Sequence, residues 1–256
     1  MRQIALTALA ALFLSATAFA QVGPPPGPPP HRGFARGGPF GPGVPGMNPW
    51  KVVTGAPYSA KMAEQSVQTL ANGVTITHST TGIVARDNSG RTYVEQTFTG
   101  GPFGSQNGSK TVIFLTDPVA GYAYTLYPDK NLAIQRPFKA PSAGSFANRP
   151  NHTHANDPNV NVQKSTSGNI ETTTINRTIP ANTMGNSSTL TSTSTVQYST
   201  SLQIVVSSTR SDPRFGNSTY TLSNIVPGDP ANISFSVPNG YTIQTEPAHG
   251  HRGPNQ

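Results

Sequence analysis

An alternation of polar and apolar residues, interrupted at short intervals by turn-forming residues, constrains the fold of this chain most strongly. Residues 74–78 and 91–98 alternate in this way, and Asn72-Gly73 and Asp87–Gly90 lie between the first alternating segments. A period of two places successive side chains on opposite faces of a strand, while Asn-Gly and Asp-rich turns connect antiparallel strands. The pattern therefore predicts hairpins, and the segment 60–69 is the one candidate helix.

Two strand sets are predicted, at about 56–136 and 161–245, joined by a loop over 137–160. In the second set the candidate strands are 170–179, 190–198, 202–209 and 218–225. Between Lys164 and Thr200, 18 of 37 residues are Ser or Thr. Threonine is β-branched and favours extended backbone, although a disordered stalk has the same composition. Apolar residues that recur through the segment favour a half-buried sheet.

These elements predict a mainly β fold: a large curved antiparallel sheet, half-barrel-like, or a β-sandwich. A curved sheet has a concave apolar face that side chains or a ligand must fill. We expect Val94, Phe114, Tyr124 and Val205 to point toward it. The predicted β domain covers 56–245, and 246–256 is a flexible tail.

The first 20 residues have the features of a cleavable secretory signal peptide. Arg2 precedes a short apolar run, and small residues at Ala18 and Ala20 predict cleavage between Ala20 and Gln21. The run is too short to span a bilayer, and no lipoprotein cysteine follows it. We expect a periplasmic or extracellular protein that does not span the membrane after cleavage.

Proline and glycine dominate the next segment, where they make up 18 of the 30 residues from 21 to 50. Proline removes backbone donors and glycine raises the entropy lost on ordering, so 21–55 is predicted to be a disordered linker. The chain has no cysteine, and its net charge of +7 reflects only ten acidic residues. The bases are scattered, which argues against nucleic acid as a partner.

No catalytic constellation is identifiable in the sequence, so we expect a non-catalytic protein without cofactors. The weak metal candidates are two H-x-H pairs, His152 with His154 and His249 with His251. No cysteine is nearby, and Asp157 and Glu246 are the only local carboxylates that could complete a four-ligand shell, so no metal site is predicted. Most aspartates lie in turn sequences, where Asp212 and Arg214 are expected to pair across their turn.

Several segments together resemble an uncharacterised family of exported β-rich proteins from Gram-negative bacteria of the acidobacterial type. They are 57–60, 69–73, 86–92, 117–121, 211–216, 220–225 and 235–241. Phe235, Pro238, Gly240 and Tyr241 also resemble the close of periplasmic lipoprotein-carrier half-barrels. That second resemblance implies a concave cavity for acyl chains.

Three functions stay open. The first is a carrier that binds an apolar or amphipathic, lipid-like ligand on the curved sheet. The second is a structural or interaction protein of the cell envelope, and the third is a hydrolase, for which no acid–base pair can be named.

Overall fold

The computed structural model describes residues 52–99, 108–139 and 157–246. Twelve strands follow one another: β1 Tyr58–Thr69, β2 Thr75–Arg86, β3 Thr92–Thr99, β4 Ser109–Asp117, β5 Tyr122–Tyr127, β6 Leu132–Pro137, β7 Val160–Ser167, β8 Ile170–Ile179, β9 Leu190–Ser199, β10 Ile204–Asp212, β11 Gly216–Pro227 and β12 Thr242–Thr245. A short 3₁₀ helix, Pro128–Lys130, connects β5 to β6. The predicted signal peptide and the predicted linker as far as Lys51 lie outside the described residues.

All twelve strands belong to one sheet, in the order β12-β6-β5-β4-β3-β2-β1-β11-β10-β9-β8-β7. Every neighbouring pair is antiparallel except β12 and β6, which are parallel. β1 joins the two predicted strand sets, because it pairs with β2 on one side and β11 on the other. The prediction of a mainly β fold built on a large antiparallel sheet is confirmed, and its strands form one sheet instead of two packed ones.

The candidate helix at 60–69 was a wrong prediction, because this segment lies within β1. Tyr58, Ala60 and Met62 are all buried, whereas Lys61 and Ala63 between and after them are exposed. This period of two buries one side of a strand, and the sheet hydrogen bonds with β2 and β11 override the helical propensity of the alanines and Met62.

Turns lie where the sequence predicted them. Gly73 has a φ of 81°, and the Leu70 N–H donates to Val74 O at 2.8 Å across the β1–β2 turn. Gly90 has a φ of 84° in the β2–β3 turn. Both positions are left-handed, so glycine is the residue that adopts them without strain.

The sheet has an inner and an outer face, defined by the register of its strands. The inner face carries Tyr58, Met62, Val84, Val94 and other members of a buried apolar cluster. The sheet curls toward this face, since the guanidinium of Arg86 in β2 donates to Leu202 O in the β9–β10 turn. Three strand spacings of about 4.8 Å separate β2 from β10, a distance that a flat sheet would not allow one side chain to cross.

On the outer face the 14 residues between β11 and β12 cross the sheet. Val237 and Tyr241 of this segment pack against a second cluster formed by Leu115, Leu126 and Ala133. After this crossing, β12 lies beside β6 at the far edge of the sheet. It runs in the same direction as β6, so these two strands form the single parallel pair.

Of the four positions expected to point inward, Val94 lies in the inner cluster, and Phe114 and Val205 pack against it. Tyr124 was predicted wrongly and packs against the outer cluster. Phe114 pairs with Thr125, so the adjacent Tyr124 points to the opposite face by the alternation of side chains along a strand.

Candidate functional site

The site residues proposed from the sequence lie outside the described residues. These are the cleavage pair Ala20 and Gln21 and the weak metal candidates His152, His154, His249 and His251. Within 52–99, 108–139 and 157–246, no group of three or more His, Cys, Asp or Glu is placed to hold a metal ion.

The inner face of β3, β4 and β5 combines apolar side chains with buried polar ones. Val94 pairs with Phe114, which in turn pairs with Thr125, so the three side chains lie in one row across the strands. Gln96 and Val112 form the next row of this face. Gln96 is 1% exposed and Thr125 is 5% exposed, so these two polar residues lie deep within an apolar surface.

Two polar atoms of this region have no hydrogen-bond partner, Gln96 Oε1 and Thr125 Oγ1. Buried polar groups are almost always hydrogen-bonded, because an unpaired one loses its contact with water without replacement. His78 Nδ1 is also buried without a partner, and His78 pairs with Ser66 on the same face. All three unpartnered buried side-chain atoms of the described residues therefore lie on the inner face.

Charged residues also face the inner side, among them Lys110 and Glu64. Lys110 pairs with Phe98, and its ammonium lies 5.5 Å from the centroid of the Tyr127 ring. Glu64 pairs with Tyr220, and burial raises the pKa of its carboxyl. A half-buried cation near an aromatic ring suits an anionic group of a ligand.

Arg86 closes one end of the inner face. Its Nε and Nη2 donate to Ala56 O at 3.0 and 2.6 Å, and its guanidinium lies 5.1 Å from the centre of the Tyr58 ring. Burial lowers the pKa of Arg86 and raises that of Tyr58 to about 12. With two backbone carbonyls as its acceptors, Arg86 serves as a structural clasp between β2, the chain before β1 and the β9–β10 turn.

The second clasp is the predicted pairing of Asp212 and Arg214, which is confirmed. Arg214 donates from Nε to Asp212 Oδ1 at 2.9 Å and from Nη2 to Oδ2 at 2.8 Å. Asp212 is 1% exposed, and the hydrogen bonds from Arg214 lower its pKa to about 2. The carboxylate is occupied by a structural ion pair at its own turn.

The alternation over 91–98 puts Gln96 on the same strand face as Val94, as the structure shows, but Gln96 and Thr125 were not identified from the sequence as site residues. The signal was present at Gln96, because a long polar side chain on an otherwise apolar strand face is unusual. Thr125 gave no such signal, since threonine is common in strands, and only the structure shows that it is 5% exposed.

No protein-family profile matches the chain, and no curated protein matches it by sequence. The similar solved structures include a DUF1329 family protein from Desulfovibrio piger, at 11% identity and a TM-score of 0.29, with 70% of this chain and 88% of that chain covered. They also include MucB in complex with MucA(peri), at 8% identity and a TM-score of 0.32, with 72% of this chain covered. The MucA/MucB complex of Pseudomonas aeruginosa matches at 9% identity and a TM-score of 0.31, with 70% of this chain covered.

This chain spans 55% and 54% of the two MucB-complex chains. Identities of 8–11% and TM-scores of 0.29–0.32 do not assign it a family or an activity. In the part of the chain that the structure describes, no helix is long and apolar enough to cross a membrane.

Proposed function

We propose that this chain is an exported, non-catalytic protein of the cell envelope that holds an amphipathic ligand against the inner face of its curved sheet. The observation that carries this proposal is the pair of buried atoms without hydrogen-bond partners, Gln96 Oε1 and Thr125 Oγ1, within an apolar surface. Ligand sites typically combine an apolar lining with a few polar groups that orient the ligand.

The chemistry of the lining defines the ligand class. Val112 and Phe114 suit an apolar body such as an acyl chain, while Gln96 Oε1 accepts a hydrogen bond from a hydroxyl or amide of the head. Thr125 Oγ1 both donates and accepts. Lys110 suits an anionic end. The expected ligand is therefore lipid-like, with a head that carries both a hydrogen-bond donor and a negative charge.

The test begins with the full chain purified from cells that export it. Organic extracts of the protein, examined by mass spectrometry, are expected to contain a lipid in a fixed ratio to protein. The delipidated protein is then titrated with dansyl-labelled undecanoic acid, whose fluorescence rises in an apolar site.

Two matched variants locate the binding. Gln96→Leu removes the inner acceptor and is expected to weaken binding of the dansyl probe several-fold, while Gln65→Leu makes the same change on the outer face and leaves binding unchanged. Absence of both extracted lipid and probe binding, in a chain shown to be folded by circular dichroism, would overturn the proposal.

A second candidate is an envelope interaction protein whose inner face is filled by its own side chains. Val84 is 0% exposed and Met62 is 2% exposed, so water does not reach the centre of this face beside β1 and β2. Crosslinking in intact cells tests this alternative. A protein partner captured by exposed residues, together with an extract free of lipid, favours it over the carrier.

A further inference from the structure

The outer face of nine consecutive strands, from β7 through β1 to β4, carries three rows of uncharged polar side chains. The register places the following residues side by side across the strands. The first row is Ser165, Thr172, Gln197, Ser207, Thr221, Ala63, Thr81, Thr97 and Thr111. The second is Gln163, Thr174, Thr195, Thr209, Thr219, Gln65, Ser79, Thr99 and Ser109. The third is Asn161, Asn176, Thr193, Ser211, Asn217, Val67 and Thr77.

We call these rows the hydroxyl–amide face. Ser, Thr, Asn or Gln occupies 23 of its 25 positions, and Ala63 and Val67 occupy the other two. Every one of its residues is exposed or half-buried. The rows therefore form an accessible surface in which neighbouring strands repeat every 4.8 Å or so.

None of the 25 positions of this face is charged, although Lys61 and Glu95 lie on the outer side of the sheet in the adjacent row. All five charged residues in β7 to β11 point to the inner face by their register: Lys164, Glu171, Arg177, Arg210 and Asp212. A solvated sheet face selected only for solubility would carry charges of both signs. In a chain with a net charge of +7, the position of all five on the inner side leaves the hydroxyl–amide face uncharged from β7 to β11.

Hydrogen bonds between neighbouring strands orient several of the side chains. Thr97 Oγ1 lies 2.9 Å from Thr111 Oγ1, and Thr174 Oγ1 lies 3.1 Å from Thr195 Oγ1. The Thr193 hydroxyl donates to Asn176 Oδ1 at 2.8 Å. Threonine is also restricted in χ1, so the side chains of this face lose little conformational entropy when a ligand binds to them.

We propose that the hydroxyl–amide face binds a neutral polysaccharide. Hydroxyl and amide groups each donate and accept hydrogen bonds, so a dense array of them complements a polymer that carries hydroxyl groups and no charge. Nucleic acids and anionic lipid surfaces require basic residues, which this face lacks. Protein interfaces are centred on aromatic and large apolar side chains, which it also lacks.

Co-sedimentation tests the proposal with insoluble cellulose, starch and chitin as neutral polymers, and affinity electrophoresis tests it with polygalacturonate as an anionic one. The full chain is expected to be retained by at least one neutral polymer, and retention should persist at high salt because it does not depend on charge. Binding to polygalacturonate alone, or to none of the four, overturns the proposal.

Two double variants with the same change in net charge locate the binding. Gln163→Glu with Gln197→Glu adds carboxylates to the hydroxyl–amide face with little change in shape, and retention is expected to weaken about tenfold because each carboxylate loses water without a partner. Lys164→Gln with Thr166→Glu makes the equal charge change on the inner side of β7 and should bind normally. Equal retention of both double variants contradicts the proposal.

Two further measurements separate this inference from other possibilities. Thr125→Val changes the proposed lipid site on the inner face and should leave polysaccharide retention unchanged. The two proposals can therefore fail independently of each other.

An ordered array of hydroxyl groups can also bind ordered water, so the chain is tested for shaping of ice crystals. Ice shaping without retention by any polymer would replace the polysaccharide as the ligand.

Discussion

At the scale of single residues, the hydroxyl of Thr125 is the most informative atom of the inner face. It is buried, and Oγ1 has no partner in the protein. In the absence of ligand such a hydroxyl destabilises the folded state, since its hydrogen bonds to water are lost on folding. The proposed ligand would bind through the same hydroxyl that destabilises the free protein. Removal of the hydroxyl is therefore expected to stabilise the free protein and to weaken ligand binding.

Thr125→Val is expected to raise the free energy of unfolding of the ligand-free protein by about 1 kcal/mol, because valine has nearly the same shape and no unpaired hydroxyl. Urea denaturation of delipidated protein measures the change. The control is Thr174→Val, which breaks the hydrogen bond between Thr174 and Thr195 and should not stabilise. A destabilised Thr125→Val protein would mean that the hydroxyl is already satisfied in the free protein.

Asp212 illustrates a buried charge that is fully compensated. Asp212→Asn is expected to lower the free energy of unfolding at neutral pH by about 2 kcal/mol, since the guanidiniums of Arg210 and Arg214 lose the carboxylate they contact. Denaturation at neutral pH measures the loss. The exposed Asp129→Asn serves as the control and should change stability little.

The same ion pair predicts a dependence on pH. The pKa of Asp212 is lowered from 3.8 to about 2 in the folded protein, so its stabilising effect is complete above pH 4 and is lost as the pH falls toward 2. The difference in stability between the original chain and Asp212→Asn should therefore shrink across that window. A difference that stays constant down to pH 2 would contradict the assignment.

At the scale of elements, close contact between β2 and β3 depends on Gly82. A Cβ atom there would lie 1.8 Å from Glu95 O and 2.7 Å from Glu95 C, both backbone atoms of the paired strand. Because backbone cannot move aside as a flexible side chain can, this position excludes every other residue unless the two strands separate.

Gly82→Ala is therefore expected to destabilise the protein by about 3 kcal/mol, at the upper end of overpacking effects. Thermal denaturation followed by circular dichroism measures it. Gly168→Ala in the β7–β8 turn is the control: its Cβ would meet nothing within 4 Å, and only its φ of 56° opposes the change. Gly82→Ala with a loss no larger than that control would mean that β2 and β3 are spaced more widely.

At the scale of the whole molecule, stability is distributed unevenly along the sheet. β1 lies between two neighbours and buries Tyr58, Ala60 and Met62, whereas β7 is an edge strand in which no residue is buried. Local opening is cheapest where few apolar contacts form and backbone hydrogen bonds are exposed.

Hydrogen–deuterium exchange measured by mass spectrometry should therefore show the slowest exchange in peptides from β1, β2 and β11. Exchange should become faster through β10, β9 and β8 and be fastest in β7. Arg86→Met removes the clasp to Leu202 O and should accelerate exchange in the β9–β10 turn. Uniform protection from β1 to β7 would contradict this gradient.

The sequence by itself determined the local structure of the strands. Alternation and turn residues located β8 at its observed bounds, and Asp212 with Arg214 identified their own clasp, because hairpins and turns depend on residues near in sequence. The same reasoning failed at 60–69 and at Tyr124. The helical propensity of a short segment carries no information about the strands that pair with it on either side. The face of the sheet on which Tyr124 lies depends on the register of β5 with β4.

Only the tertiary structure decided which strands become neighbours, and with that the chemistry of each face. The Ser and Thr residues that the sequence shows as a compositional bias become three rows because β1 pairs with β11 and unites the two strand sets in one register. The curl toward the inner face likewise shows only in the folded sheet, where Arg86 of β2 donates to Leu202 O. Both depend on contacts between residues more than 100 positions apart, and local pattern carries no information about such contacts.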